Sequence, residues 1–278
     1  MRRWIAPFGI MLAFALAAQL APAPRSPSKE AAYRLPTDWL EKAADGYRTM
    51  AAAVRWMFVL DRFGGEPQGA HDYAWLAREL DLITRWNPRA EHAYFMGAVV
   101  LPWGTGSTRL SVPLLERAMR AMPEDWRWPF YRGFNAYWFD RDRAEAARLL
   151  EISASKPGAP PFVARLAARM HASLGDLDAA LAFLERLYRA AGDEDLRREL
   201  MRQILAVRTE KVLRRLDRAI ARIPPERRSR ALLKRLGLLP PEPLPDGGIV
   251  VFTPEGVPVS SKMKKRFRLF VPPRRRRD

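Results

Sequence analysis

At 278 residues, with 48% hydrophobic and 28% charged side chains, the chain can bury a sizeable continuous core and is too apolar for a disordered polymer. It contains no cysteine, which excludes disulfide frameworks, thiolate metal sites, cysteine nucleophiles and lipid attachment through cysteine. Its formal charge of +17 is unevenly held, because residues 262–278 carry nine cations against Asp278 alone. A field of that sign draws nucleic acid, anionic lipid and acidic protein alike, so location has to choose among them.

Arg2 and Arg3 precede an uncharged run from Trp4 to Pro24. A run of about 20 such residues reaches across the hydrocarbon core of a bilayer and keeps its positive flank in the cytoplasm. Ala21-Pro22-Ala23 is a poor cleavage context, so residues 1–24 read as a signal anchor in preference to a cleaved peptide or a buried cytosolic helix. That reading places the chain in the inner membrane as a single-pass protein with its bulk facing the periplasm. Residues 25–37, rich in Pro, Ser and charge, form the linker that follows.

Leu, Ala and Arg dominate the rest, which favours helix. Thr37 and Asp38 are candidate caps for a helix to about Leu60, and Gly64-Gly65 stops it. A second helix runs from about His71 to Trp86 and ends at Asn87-Pro88. After Pro88 come AEHAYFMGAVVLPW and SVPLLERAMRAM around the loop GTGSTR. After Pro123 come DWRWPFYRGFNAYWF and AEAARLLEISAS around Asp140-Arg141-Asp142, and after Pro157 come PFVARLAARMHAS and a helix starting at Gly175-Asp176. That last helix sets Leu177, Ala180, Leu181, Leu184 and Tyr188 on one face.

Pro88, Pro123 and Pro157 lie 35 and 34 residues apart, and each separates one apolar helical run from the next. A period of about 34 residues marks helix pairs that cannot bury their apolar faces alone and must stack on neighbours. The segment GDLDAALAFLERLY, with Gly175, Ala180, Leu184 and Leu187, resembles the second half of a tetratricopeptide repeat. Gly133, ten residues after Pro123, falls where that family places a close-packing glycine, and Gly97 falls within one residue of the equivalent place after Pro88. Arg132, Ala167 and Ala168 depart from the family pattern, and the third repeat needs one extra residue before Ala146. The anchor, divergent repeats and β piece together are similar to envelope-associated repeat proteins of bacteria.

The expected organisation is therefore an all-α fold. Residues 38–192 are expected to form a right-handed, tetratricopeptide-like solenoid of about four helix pairs. Residues 193–237 add capping helices, with Asp193 and Asp195 near their start and Gly237 as the final cap. Residues 238–261 hold a proline-rich connector and a β-hairpin turning at Thr253-Pro254-Glu255-Gly256. Residues 262–278 form a mobile basic tail.

Motifs for chemistry are sparse. His71, His92 and His171 have no metal-binding spacing and no cysteine to complete a site, so no metal or other cofactor is expected. No G-x-S-x-G occurs, Asp140/Asp142 and Asp193/Asp195 sit where helix caps belong, and Gly104 to Thr108 lacks the lysine of a phosphate loop.

The aromatic excess after Pro123 stands out: Trp126, Trp128, Phe130, Tyr131, Phe134, Tyr137, Trp138 and Phe139 exceed what one buried stripe requires. Packing on both sides by neighbouring helix pairs is one explanation. The family resemblance implies another, because in that family the first helix of each pair lines a concave groove. Phe130, Phe134 and Tyr137, with His92 and Phe95 from the preceding repeat and Arg127 and Arg165 beside them, would then receive a peptide or helix from a protein partner. In an exported protein the tail cations Lys262, Lys264, Lys265, Arg266, Arg268, Arg274, Arg275, Arg276 and Arg277 suit anionic lipid or an acidic partner. The expected function is a non-enzymatic scaffold or assembly factor of the cell envelope, with no small-molecule substrate. Two alternatives stand beside it: an envelope enzyme whose site assembles in the groove, and a cytosolic nucleic-acid-binding repeat protein, which lacks any recognised nucleic-acid module.

Overall fold

The computed structural model describes residues 46–63, 70–263 and 265–267, and divides the chain into two compact units at Gly64/Gly65. The expected anchor, the linker, the glycine stop and most of the basic tail lie outside the described residues. Among the described residues no helix is long and apolar enough to cross a membrane. In the first unit, helix α1 (Arg48–Phe63) buries Ala52, Arg55 and Val59 along one stripe and exposes Met50, Val54, Met57 and Leu60.

The second unit is mostly helical with one small antiparallel sheet. In chain order its helices are α2 (Ala70–Trp86), α3 (Glu91–Thr105), α4 (Val112–Ala121), α5 (Arg127–Asn135), α6 (Arg143–Ala154), α7 (Pro161–Ser173), α8 (Leu177–Ala190), α9 (Glu194–Ala219) and α10 (Arg230–Arg235). The caps fall where short acidic side chains precede apolar runs. Asp142, Asp176 and Asp193 accept from the backbone N–H of Glu145, Ala179 and Leu196, so three predicted helix starts carry the hydrogen bond that stabilises them. Asp140 and Asp195 do other work: Asp140 accepts from the Thr108 hydroxyl at 2.7 Å, and Asp195 pairs with Arg198.

From α2 to α9 each helix packs on the next in sequence, and α2 with α4, α3 with α5 and α7 with α9 also touch. The repeat period is visible in the bonds between helices. Arg117 on α4 reaches back to Asp81 and Thr84 on α2, and Arg186 on α8 to Glu151 on α6. On the other side, Arg127 on α5 reaches Glu91 on α3, and Glu199 on α9 takes Arg165 on α7. One of these cross-links repairs a defect. Pro102 lies inside α3 and has no N–H to give the Ala98 carbonyl, and buried Asn135 on α5 donates to that carbonyl at 3.0 Å.

Two glycines set the helix spacing. A Cβ on Gly97 would lie 2.6 Å from Leu114 Cδ1, and one on Gly133 would lie 3.1–3.3 Å from Leu150, Leu149 and the Ala146 carbonyl. The backbones of α3 and α5 thus approach α4 and α6 where the sequence placed small residues. Directly after α5 the residues Ala136–Asp140 wind as a π turn, and Arg141 leaves it with φ +62°. Such a turn accommodates one more residue than an α-helical turn does.

The main core runs from Ala136 through Ala146, Leu150, Val163, Met170, Phe183 and Leu184 to Leu200 and Val207. The second half of α9 serves another core, in which Leu213, Leu216 and Ile220 meet Leu233, Leu244 and Val250. Strand β1 (Val250–Phe252) pairs with β2 (Pro258–Ser260) around the expected turn, with Val251 opposite Val259. Gly256 at that turn has φ +70°, and a Cβ there would lie 2.6 Å from the Pro225 carbonyl, so the site demands glycine on two counts.

Of the residues expected in a mobile tail, 262–263 and 265–267 are described, and Arg266 and Phe267 are packed. Phe267 is 4% exposed and joins the main core, and Arg266 is ion-paired at 2.8 Å to Glu210 on α9, a side chain 1% exposed. Glu210 also accepts from Arg214 and from the Phe267 N–H, while Arg266 reaches Asp217 and the Pro258 carbonyl as well. Burial alone would depress the Arg266 guanidinium, but the hydrogen bonds and charge of Glu210 and Asp217 outweigh it and hold it above its ordinary value. Phe267, the last described residue, is thus fixed against α9 and the main core.

Candidate functional site: an aromatic ladder across three helices

The rings on α3, α5 and α7 form one connected series. Trp103 on α3 meets Trp138 at 5.6 Å and Phe139 at 5.4 Å. Trp138 stacks on Phe134 (5.9 Å, 11°), and Phe134 on Phe130 (6.3 Å, 28°). Phe130 then meets Phe162 on α7 edge-on at 5.6 Å, and Tyr131 at 5.4 Å, which meets Phe95 on α3 at 5.5 Å. Trp126 closes the series against Phe130 and Phe162. These edge-to-face and offset geometries are the favourable ones for aromatic pairs.

The outer rings of the ladder are open to solvent, while Trp126, Phe130 and Trp138 lean on the main core. Phe95 is 50%, Trp103 48% and Phe162 40% exposed, whereas Trp128 on the opposite side of α5 is 1% exposed and packs on buried Tyr94 at 5.6 Å. Part of the aromatic excess is therefore core packing, and part is a ring surface partly open to solvent. Of the groove residues expected from sequence, Phe95, Phe130 and Phe134 are brought together in the ladder. Tyr137 is not among them: it is 6% exposed and belongs to the core with Ala136, because the π turn changes the helical phase on which its placement was read. Trp103, Tyr131 and Phe162 complete the series instead, and only their ring type marked them in the sequence.

The polar members lie beside the rings. Arg127 is tied to Asp125 through Nε (2.9 Å) and Nη2 and to Glu91 at 2.7 Å, which fixes it against the Trp128 face with its Cζ 5.2 Å from the ring centre. His92 is exposed, and partial burial still holds its pKa below the ordinary value, against the pull of Glu91. Arg165 shares Glu199 with Arg202. Burial works against the charged form of Asp125, but the Arg127 side chain and backbone N–H hold its carboxyl below the usual range. Because that folded-state pKa is depressed, the stabilisation is present at neutral pH and is lost as pH falls below the ordinary carboxylate value. Asp125→Asn is expected to cost about 1 kcal/mol at pH 7, and the difference from wild type should close on acidification. Denaturant titrations from pH 7 to 3 measure this; curves that stay parallel would refute it.

Of the histidines, His171 lies 2.6 Å from Glu151, which also takes Arg186. Among the described residues no group of three or more His, Asp or Glu side chains could hold a metal ion. Of the tail cations, Lys262 and Lys265 are exposed and Arg266 is buried, while Lys264, Arg268 and Arg274 to Arg277 lie outside the described residues. No family model matches this chain, and neither the curated proteins nor the solved structures hold a match to it.

Proposed function

We propose that this chain is a tetratricopeptide-like scaffold of the cell envelope that holds a protein partner by an apolar segment laid on the aromatic ladder of α3, α5 and α7. The observation that carries the reading is the ladder itself: a connected ring surface on three successive first helices, partly open to solvent and backed by a packed core. Aromatic residues with arginines beside them are the side chains that dominate binding energy at protein interfaces. Serial packing of adjacent helices supports the right-handed repeat stack, and the uncharged N-terminal run supports a tether to the inner membrane with the stack outside. The one fully buried carboxylate among the ion pairs above, Glu210, is saturated by Arg214, Arg266 and the Phe267 N–H, which favours a binding role over acid–base catalysis.

The Phe130→Ala/Phe162→Ala pair should reduce partner capture at least about tenfold, since each ring lost from a binding centre costs about 2 kcal/mol. Photocrosslinking in the native membrane checks this, with the probe at Phe95 on the ladder and, as control, at Leu174, exposed at the end of α7. The same partner recovered equally from both positions, or capture unchanged in the double variant with its helicity intact, would sink the reading.

A further inference from the structure

Next to the ladder, on α7, lies a charge that no described carboxylate answers. Arg169 sits two turns along the helix from Phe162. Its guanidinium is placed over the Phe267 ring, 5.5 Å from the centre, and its Nε is buried with no hydrogen-bond partner. Among the described residues no carboxylate pairs with it, and burial followed by the charge of Arg165 pushes its pKa down. A half-buried guanidinium has five N–H donors and pays for desolvation with little in return unless an acceptor meets it.

The surroundings repeat this imbalance. Arg169 lines a notch of about 370 Å³ between α7, α9 and the 262–267 segment, whose other charged walls include Arg165, Arg202, Lys265 and Glu199. The single acid is already engaged by Arg165, Arg202 and the Gln203 amide. Gln203, 4% exposed at the notch, donates its amide to Glu199 and the Pro161 carbonyl and brings no negative charge there. A buried guanidinium nitrogen without an acceptor, set among cations whose one neighbouring acid is already taken, points to a place where an acceptor can bind.

We propose that this notch is an oxyanion-binding site in which Arg169, backed by Phe267 and flanked by Lys265, receives a carboxylate or phosphate group. The planar guanidinium fits either group with two parallel N–H bonds, and the exposed Lys265 ammonium adds a donor at the rim. The site deepens the scaffold reading, because it gives the apolar partner segment an acidic group spaced two helical turns from the ring that meets Phe162. It does not depend on that partner being present.

The experiment uses the full chain and two free probes, succinate and inorganic phosphate, followed by calorimetric titration and by the Arg Nε–Hε resonances. Saturable binding of either probe, with one Nε–Hε resonance shifting and at least tenfold weaker binding in Arg169→Met but not in Arg189→Met on α8, is the expected result. Preference for succinate assigns the site to carboxylates and preference for phosphate assigns it to phosphoryl groups. Absence of saturable binding by both probes, or equal binding in Arg169→Met, overturns the proposal. Arg169→Met should also melt no lower than wild type in probe-free buffer, as removing an uncompensated charge predicts; a lower melting point with binding intact makes the residue structural and overturns the site. Unchanged partner capture in the ladder variants, with probe binding intact, would count against the scaffold alone.

Discussion

Replacing Glu210 by alanine is expected to destabilise the second unit by about 3–5 kcal/mol, the cost of removing one partner from a buried ion pair. Arg266 would keep Asp217 and the Pro258 carbonyl but lose both contacts to Glu210, and the buried Phe267 N–H and the Arg214 Nε would lose their acceptor. The guanidinium, 5% exposed and left with the more exposed Asp217 as its only acid, cannot rehydrate its Nε and Nη2 without withdrawing Phe267 from the core. Urea unfolding of the full chain, read by helical signal, measures the loss. Substituting both partners by methionine should cost much less than Glu210→Ala alone, because the charge left behind does the damage. A loss under about 1 kcal/mol for Glu210→Ala would show that the 262–267 segment is not fastened as described.

The second large effect is expected at Trp128. Truncation to alanine removes a ring that is 1% exposed, packed on Tyr94 and placed under Arg127, and should cost about 3–5 kcal/mol. Helices α3 and α5 would lose the contact that seats one repeat on the other. Phe95→Ala, on the exposed side of α3, should stay within about 0.5 kcal/mol of wild type while weakening partner capture. Denaturation and crosslinking on the two variants separate packing from binding. Equal stability losses at both positions would mean that the ladder is core after all.

Much of the fold was legible because its signals are local. Pro88, Pro123 and Pro157 punctuate the helices, Asp142, Asp176 and Asp193 start them, and Gly97 and Gly133 permit close backbones. The hairpin announced itself by proline and glycine between apolar triplets. What the sequence concealed depends on distance. Arg266 reads as one cation in a basic run until Glu210, 56 residues earlier, is folded against it. Arg169 reads as the polar face of an ordinary helix, and only the three-dimensional count of acids around it reveals the deficit. Tyr137 was misplaced because a pattern of period 3.6 assumes a regular helix, and the turn beginning at Ala136 is not one.

That wider turn has a consequence for the rings. In an α-helix every fourth residue drifts by about 40° around the axis, because 3.6 residues complete a turn. A column built on Phe130, Phe134 and Trp138 would slew sideways if the helix continued unchanged. The turn from Ala136 to Asp140 holds more residues per revolution and takes the drift back, so Trp138 lies nearly parallel over Phe134 and within reach of Trp103. The straightness of the column is thus written in the length of the chain between its rungs as much as in the rungs themselves.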